Sequence, residues 1–439
     1  MPRRILIVGA GAREHALAWR LGRDAGVERL LVAPGNPGMR ADVELHPEVG
    51  ATSPEAILDL VRAEAIELVI VGPEAPLVTG LADLLMRAGV PVFGPGAAAA
   101  RLEGSKAFCR EVASAAGVPM AAGRAFDRVE PALAFAARFE GRVVVKADGL
   151  AGGKGVTVCG SIAEVEAALQ AMLVGRRFGE AGATVVVEER LEGREASLIA
   201  LCDAACAVAL PAARDHKRLG AGDRGPNTGG MGAFSPLPDL DDASAAALVE
   251  TIHRPVLAAM ARAGTPFRGA LYAGLMLTSA GPRLLELNVR FGDPEAQAIL
   301  PRLAVPLAPL LLAAALDRLA ETAAALGVVG PLLPAQPEAA VAVVLAAAGY
   351  PYAPRAGDPV HGLDAARAAG AVVFGAGLAE DRDGRLVTAG GRVVTIVGRG
   401  ETVPAAARAA HAAATLVDFA GRQMRHDIGL AFEPAGVAP

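Results

Sequence analysis

The sequence predicts a multidomain chain of α/β and α+β class: an open parallel α/β sheet first, then a larger α+β region, then a small β-rich α+β domain. Three observations predict it. At about 150 residues per domain, 439 residues make roughly three domains. In the first hundred or so residues, short apolar runs alternate with helix-length stretches, the pattern of a parallel sheet wound with helices. Beyond them the strand-like runs read as antiparallel sheet with helices attached.

In chain order, Ile5–Val8, Leu30–Ala33, Leu68–Val71 and Val90–Phe93 read as strands, with Ala16–Leu21, Pro54–Ala63 and Leu81–Ala88 as the helices between them. Each strand runs into a glycine-rich turn (GAGAREH, APGNPG, VGPEAP, FGPG) at the carboxyl edge, where open α/β sheets bind ligands. A helix with Lys106 opens the second region, whose β-like runs are Arg142–Ala147 and Thr184–Glu189. Ala340–Ala346, Val393–Val397, a turn at Asp383–Gly384 and a late alanine-rich helix mark the third. Gly327–Pro337, with three prolines, reads as the linker. The expected domains are therefore 1–102, 103–326 and 327–439. No repeat of fixed period is present.

Composition narrows the function classes. Hydrophobic residues at 53% and charged residues at 20% argue against extended disorder. A net charge of -5 without a long basic run argues against binding nucleic acid or a membrane surface. The most apolar stretch, Leu303–Leu316, is shorter than the roughly 18–20 residues of a bilayer span and holds Pro306 and Pro309. Arg13, Glu14 and His15 soon interrupt the N-terminal apolar run, which makes a poor signal peptide. Cys109, Cys159, Cys202 and Cys206 are scattered and lack histidine partners, so they read as structural thiols in a reducing compartment. The expectation is a cytoplasmic protein.

Five stretches carry the chemistry. The turn at Gly9–His15 departs from the dinucleotide pattern G-x-G-x-x-G, because position 14 is Glu, and no acid closes the second strand. It suits a phosphate at a helix N-terminus, assisted by Arg13 and His15, or equally a plain tight turn. In VVVKADGLAGGKGV, Val143–Val156, a strand places Lys146 before a loop holding Gly149, Gly152, Gly153, Lys154 and Gly155. Glycines admit phosphate oxygens to backbone N–H groups, and the spacing is not that of a Walker A loop. In RLLELNVRFGDPE, alternation puts Glu286, Asn288 and Arg290 on one face and Leu285, Leu287 and Val289 on the other. The adjacent oxygens of Glu286 and Asn288 suit a hard cation that also holds substrate phosphates. Arg214–Pro236 mixes Asp215, His216, Lys217, Arg218, Asn227 and Thr228 with glycines and no period, as long functional loops do. The strand ending in Glu188 and Glu189, followed by Leu191 and Glu195, reads on its own as solvated acids. No Ser-His-Asp or Cys-His set is legible, and His253, His361, His411 and His426 read as structural.

Taken together these stretches resemble the ATP-grasp superfamily and, within it, the phosphoribosylamine-glycine ligase family. The resemblance rests on GAGAREHALAW, VAPGNPG, VGPEAPLV, LEGSKAF, KADGLAGGKGV, EERLEGREAS, DHKR, GPNTGGMGAFSP, LYAGLML, ELNVRFGDPE, GGRV and RHDIG, in the family's order over nearly the whole chain. It implies an ATP-grasp core with a mobile lid at about 122–190 and ATP-dependent ligation of 5-phosphoribosylamine and glycine through glycyl phosphate. Mg²⁺, with Mn²⁺ as the alternative, is the implied metal, and the implied state is a monomer.

The resemblance also implies residue roles. Lys106 and Lys146 hold the ATP phosphates under the Gly149–Gly155 loop, including Gly152, Gly153 and Lys154. Glu188, Glu189 and Leu191 line the adenine hinge, and Glu195 reaches the ribose. Glu286 and Asn288 bind the metal. Asp215, Lys217, Arg290, Gly292 and Asp293 surround glycine and the reacting amine. Gly11, Arg13, Glu14, His15, Gly72, Pro73 and Glu74 face the ribose phosphate. The alternative is another ATP-grasp carboxylate-amine ligase with a different acceptor, against which DHKR and GPNTGGMGAFSP count.

Overall fold

The computed structural model describes residues 1–152 and 154–430; Gly153 of the glycine loop lies outside the described residues. The first five strands, β1 (Arg4–Gly9), β2 (Arg29–Pro34), β3 (Glu44–Leu45), β4 (Leu68–Val71) and β5 (Val92–Phe93), form one parallel sheet in the order β3-β2-β1-β4-β5. Ile5–Val8 and Leu68–Val71 are buried throughout, as a parallel sheet covered on both faces requires. The first helix starts at Ala12, four residues before the stretch read from the sequence. Glu14 reaches back so that Gly11 N donates to its Oε2 at 2.6 Å, stabilising the extra turn.

The second region holds β6 (Gly123–Phe126), β7 (Val143–Ala147), β8 (Val156–Val158), β9 (Val185–Glu189), β10 (Arg194–Cys202) and β11 (Ala207–Ala209). It continues through β12 (Arg214–Asp215), β13 (Arg218–Gly220), β14 (Arg224–Asn227), β15 (Gly232–Ser235), β16 (Gly269–Thr278) and β17 (Gly281–Asn288). Strands β6-β9-β7-β8 make a separate antiparallel sheet with its own core of Phe135, Val145, Val165, Leu169 and Val187. Strands β11-β10-β16-β17 make the other antiparallel sheet. The two meet at the helix Lys106–Ala115. Its cap Ser105 accepts from Phe108 N at 3.1 Å and donates to the Asp148 carboxylate at 3.0 Å.

One expected strand face is interrupted at Leu285. Gly274 pairs with Glu286 but Leu275 pairs with Leu284, so Leu285 is the extra residue of a bulge. Of the expected face Leu285, Leu287 and Val289, Leu287 and Val289 are buried but Leu284 replaces Leu285, and Arg290 lies beyond the end of β17.

The last strands are β18 (Ala339–Ala346), β19 (Val372–Gly375), β20 (Leu378–Glu380), β21 (Leu386–Thr388) and β22 (Arg392–Gly400). The C-terminal sheet runs β12-β15-β18-β22-β19, so two strands from the loop region 214–235 complete it. Sheet pairing thus crosses the 326/327 division. Nor is Gly327–Pro337 a free linker. Ala209 N donates to Pro331 O at 2.7 Å, Leu333 N to Ala209 O at 2.8 Å and Ala304 N to Pro334 O at 3.0 Å, and Leu333 is buried. Its prolines fit because an edge strap needs few N–H donors of its own.

Candidate active site

Two lysines lie within electrostatic reach of each other where the β6-β9-β7-β8 sheet approaches the β11-β10-β16-β17 sheet. Lys146, near the end of β7, is buried; its Nζ lies 2.6 Å from Glu188 Oε2 and donates to Leu285 O at 3.1 Å. The bulge at Leu285 turns that carbonyl toward β7, and the next residue is Glu286. Glu188 is 4% exposed and also binds Arg110 at 2.9 Å. Burial pushes the Lys146 ammonium down, but Glu188 and Glu286 outweigh it and its pKa is raised. Lys106 differs. Among the described residues its Nζ meets the carbonyls of Asp148 and Gly149, at 3.4 and 3.3 Å, and burial lowers its pKa despite Glu286. A desolvated ammonium without a close carboxylate fits an anionic ligand.

Glu286 and Asn288 stand side by side, with Asn288 Nδ2 3.5 Å from Glu286 Oε1. No group of three or more His, Cys, Asp or Glu side chains able to hold a metal exists among the described residues. Two oxygens alone suit Mg²⁺ shared with nucleotide phosphates, the arrangement this cation prefers. In the glycine loop, Gly152 has φ +55°, where a side chain would be strained.

Beyond β17, charged groups are paired with one another. Arg290 contacts Glu74 at 3.1 Å and Glu103 at 2.9 Å, and these carboxylates raise its pKa against burial. Lys217 contacts Glu195 at 2.6 Å and Asp215 at 2.8 Å. Asp293 contacts Arg392 at 2.7 Å and accepts from Gln297 at 2.7 Å. Glu295, 3% exposed, accepts from Ser197 Oγ at 3.0 Å, which lies 2.8 Å from Tyr272 Oη. Burial, then the neighbouring Asp215, push Glu295 up to about 7.

The N-terminal turn is more closed than its sequence suggests. Glu14 takes Gly11 N on Oε2 and Arg13 Nε, at 2.5 Å, on Oε1. A Cβ on Gly72 would lie 2.1 Å from Glu14 Oε1, and one on Gly9 2.6 Å from Glu14 Cγ, so these glycines make room for a carboxylate of the chain itself. His15 is fully buried; Nε2 meets Asp42 at 2.9 Å and Nδ1 accepts from Gly375 N at 2.8 Å. In this conformation Glu14 and His15 act as props and do not present open ligand atoms, because all four of their polar atoms are engaged.

Two cavities open on these groups. One of about 840 Å³ lies between the β6-β9-β7-β8 sheet and the Thr278–Arg283 hairpin and is lined by Glu189 and Leu191 but not Glu188. The other, about 300 Å³, joins the Gly11 turn to Asp293 and the C-terminal sheet. The structure puts Lys106, Lys146 and Glu286 within electrostatic reach of one another with Asn288 beside Glu286, and it puts Glu195, expected at the ribose, in direct contact with Lys217, expected beside glycine. The sequence reading gave no role to Glu103, Arg110, Glu295 or Arg392. All but Arg110 lie inside quoted strings (LEGSKAF, ELNVRFGDPE, GGRV), so the available signal was a charge inside a glycine-rich string.

Three family models match most of the chain: the N domain of phosphoribosylglycinamide synthetase matches residues 3–103, its ATP-grasp (A) domain 104–296 and its C domain 340–431. The phosphoribosylamine–glycine ligase of Rhizobium meliloti is 46% identical over 97% of this chain and 98% of its own length. That of Caulobacter vibrioides is 46% identical over 97% of both. The crystal structure of the Thermotoga maritima phosphoribosylamine–glycine ligase superposes with TM-score 0.82 at 34% identity, covering 97% of this chain and 99% of that one. A biotin carboxylase domain from Hydrogenobacter thermophilus shares the fold, with TM-score 0.70 at 16% identity over 97% of this chain and 92% of its own.

Proposed function

The chain belongs to the phosphoribosylglycinamide synthetase family, and from that premise and the geometry above we infer how its residues carry the reaction. It is an ATP-dependent carbon–nitrogen ligase of purine biosynthesis that joins 5-phosphoribosylamine to glycine, giving glycinamide ribonucleotide, ADP and phosphate. In our reading the glycine carboxylate takes the γ-phosphoryl group, and the phosphoribosylamine nitrogen then displaces phosphate from glycyl phosphate. Such chemistry asks the protein for positioning and charge neutralisation rather than for a nucleophilic side chain.

Lys106, Lys146 and the loop with Gly152, Lys154 and Gly155 hold the phosphates. Glu188 is the counter-charge that fixes Lys146, while Glu189 and Leu191 line the adenine cavity and Glu195 serves the nucleotide ribose. Glu286 and Asn288 hold a divalent cation, Mg²⁺ with Mn²⁺ as substitute; when bound, it neutralises phosphate oxygens. Arg290, Asp215, Lys217, Gly292 and Asp293 surround glycine and the amine. Gly11, Arg13, Gly72, Pro73 and Glu74 form the phosphoribosylamine side, with Glu14 and His15 positioning that turn. A cytoplasmic, monomeric enzyme built as 1–102, 103–326 and 327–439 belongs to the same proposal.

The observation that carries it is the Lys146 ammonium, which joins Glu188 to the Leu285 carbonyl and so ties the phosphate strand to the strand bearing Glu286 and Asn288. The test is phosphate release from ATP and Mg²⁺ with glycine and freshly generated phosphoribosylamine. Release should require both acceptors and yield glycinamide ribonucleotide by mass. Release with neither acceptor would refute the assignment.

A further inference from the structure

The string RHDIG takes no part in the site as described, yet it carries one of the largest fully buried side chains of the molecule. Arg425 is 1% exposed. Its segment is fixed to the C-terminal sheet on both sides. Gln423 and Ala346 of β18 exchange backbone hydrogen bonds at 2.8 Å, and the carbonyl of the fully buried Ile428 accepts from His411 Nε2 at 3.0 Å. The guanidinium gives two N–H bonds to the Asp427 carboxylate, at 2.6 and 2.8 Å. Its remaining nitrogen, Nη1, turns to the β13–β14 hairpin and donates to Asp223 Oδ1 at 2.6 Å and to the carbonyl of Arg218 at 3.2 Å. Asp427 also accepts from Gly222 N of that hairpin, at 2.9 Å.

The hairpin needs such an anchor. It is a two-stranded sheet, exposed from Ala221 to Gly225, and two strands alone are marginal in water. A buried guanidinium in turn persists only with matched acceptors, and the hairpin supplies two of them. The hairpin is continuous with the residues placed beside glycine. Arg218 follows Lys217 directly, and the carbonyl of Lys217 accepts from Thr228 N and Thr228 Oγ1, each at 2.8 Å. Asp223 lies 3.9 Å from Nδ1 of His216, which stands between Asp215 and Lys217. We propose that Arg425 is a positioning residue for the acceptor side of the site: from the C-terminal segment it holds the β13–β14 hairpin, and through it Lys217 and Asp215, in place for glycine. The inference rests on the ligase reading and adds to it a buried group remote from the reacting atoms. Loosening the hairpin should cost glycine recognition and spare the nucleotide, since Lys146 takes its partners from Glu188 and Leu285.

The test uses full-length variants. Arg425→Met removes the fork but keeps an unbranched chain, and Asp223→Gly removes a 68% exposed carboxylate at a φ of +53° that glycine adopts without strain. The kcat/KM for glycine should fall at least about ten-fold in Arg425→Met and about three- to ten-fold in Asp223→Gly, chiefly through KM. The Kd of a non-hydrolysable ATP analogue should stay within about two-fold in both. Because the two residues act through one contact, the double variant should lose no more than Arg425→Met alone. Trypsin should cut after Arg218 or Arg224 at least about ten-fold faster in Arg425→Met than in wild type, with the site read by mass. Glycine kinetics equal to wild type in Asp223→Gly overturn the proposal, even where Arg425→Met folds poorly. So does an equal loss for the ATP analogue in Asp223→Gly, or losses that add in the double variant. A wild type without glycine-dependent phosphate release overturns the ligase reading itself, and the proposal with it.

Discussion

Replacing Glu188 by Gln tests the electrostatic centre of the site. Glu188 is nearly fully buried between Arg110, at 2.9 Å, and Lys146, at 2.6 Å. The amide keeps the volume but removes the charge, leaving two cations facing a neutral group. Arg110 retains the carbonyls of Ala121 and Gly123, each at 3.0 Å, whereas among the described residues Lys146 retains Leu285 O as its one hydrogen bond. Losing one partner of a buried pair costs about 3–5 kcal/mol. At about 2–4 °C per kcal/mol for a unit of this size, the melting temperature should fall by roughly 6–20 °C.

The pH dependence has a definite sign. In the native protein burial lowers the Lys146 pKa, yet Glu188 and Glu286 leave it raised, so its contribution is present below the unfolded lysine value and is lost as pH rises through the higher folded one. Without Glu188 two of its raising influences, the charge and the hydrogen bond, are gone, so the Lys146 pKa falls and the alkaline loss moves to lower pH. Thermal melts from pH 7 to 11, with binding of an ATP analogue over the same range, read both effects. A melting temperature within about 2 °C of wild type, together with an unmoved alkaline limb, would refute the buried-pair argument.

Glu286→Gln should lower metal-dependent turnover by at least about 10²-fold while leaving the melting temperature near wild type; unchanged turnover would remove Glu286 from the metal site. Because no cluster of three or more acidic, His or Cys side chains stands among the described residues, Mg²⁺ alone should leave the wild-type melting temperature unmoved and Mg²⁺ with ATP should raise it, a contrast that thermal scans with and without chelator check. Glu295 titrates near 7 in the fold against an ordinary 4.5, so the fold loses stability between those pH values, by about 1.4 kcal/mol per unit. In urea melts from pH 4 to 8, Glu295→Gln should flatten that slope; a curve parallel to wild type would show Glu295 ionised throughout. Gly72→Ala would drive a methyl to 2.1 Å from Glu14 Oε1, and denaturant titration should show a loss of about 1–3 kcal/mol; wild-type stability would mean Glu14 is not wedged there.

Much of the fold was legible because its signals are local. The unbroken apolar runs Ile5–Val8 and Leu68–Val71 announce strands buried on both faces, and both appear there. Glycines beside lysine after β7 and the paired oxygens of Glu286 and Asn288 are likewise written in short strings. The β17 face was misread at Leu285, because a bulge depends on how β16 pairs and leaves no mark in the alternation of β17 alone. The Gly327–Pro337 strap was misread for a related reason: proline-rich composition describes both a free linker and a segment docked on β11.

Hydrophobic period, turn glycines and the order of the motif strings follow from neighbouring residues, and they were enough for class, family and reaction. Which charge meets which is another matter. Lys146 meets a carbonyl 139 positions away, and Arg392 meets Asp293 across 99. Glu14 consumes the amide that its turn offers to a phosphate, and Glu195 meets Lys217. Coulomb attraction and hydrogen bonding act through distance in space, and at sheet edges that distance is set by packing between elements that share no local pattern. The partners of each charged group therefore had to wait for the folded chain.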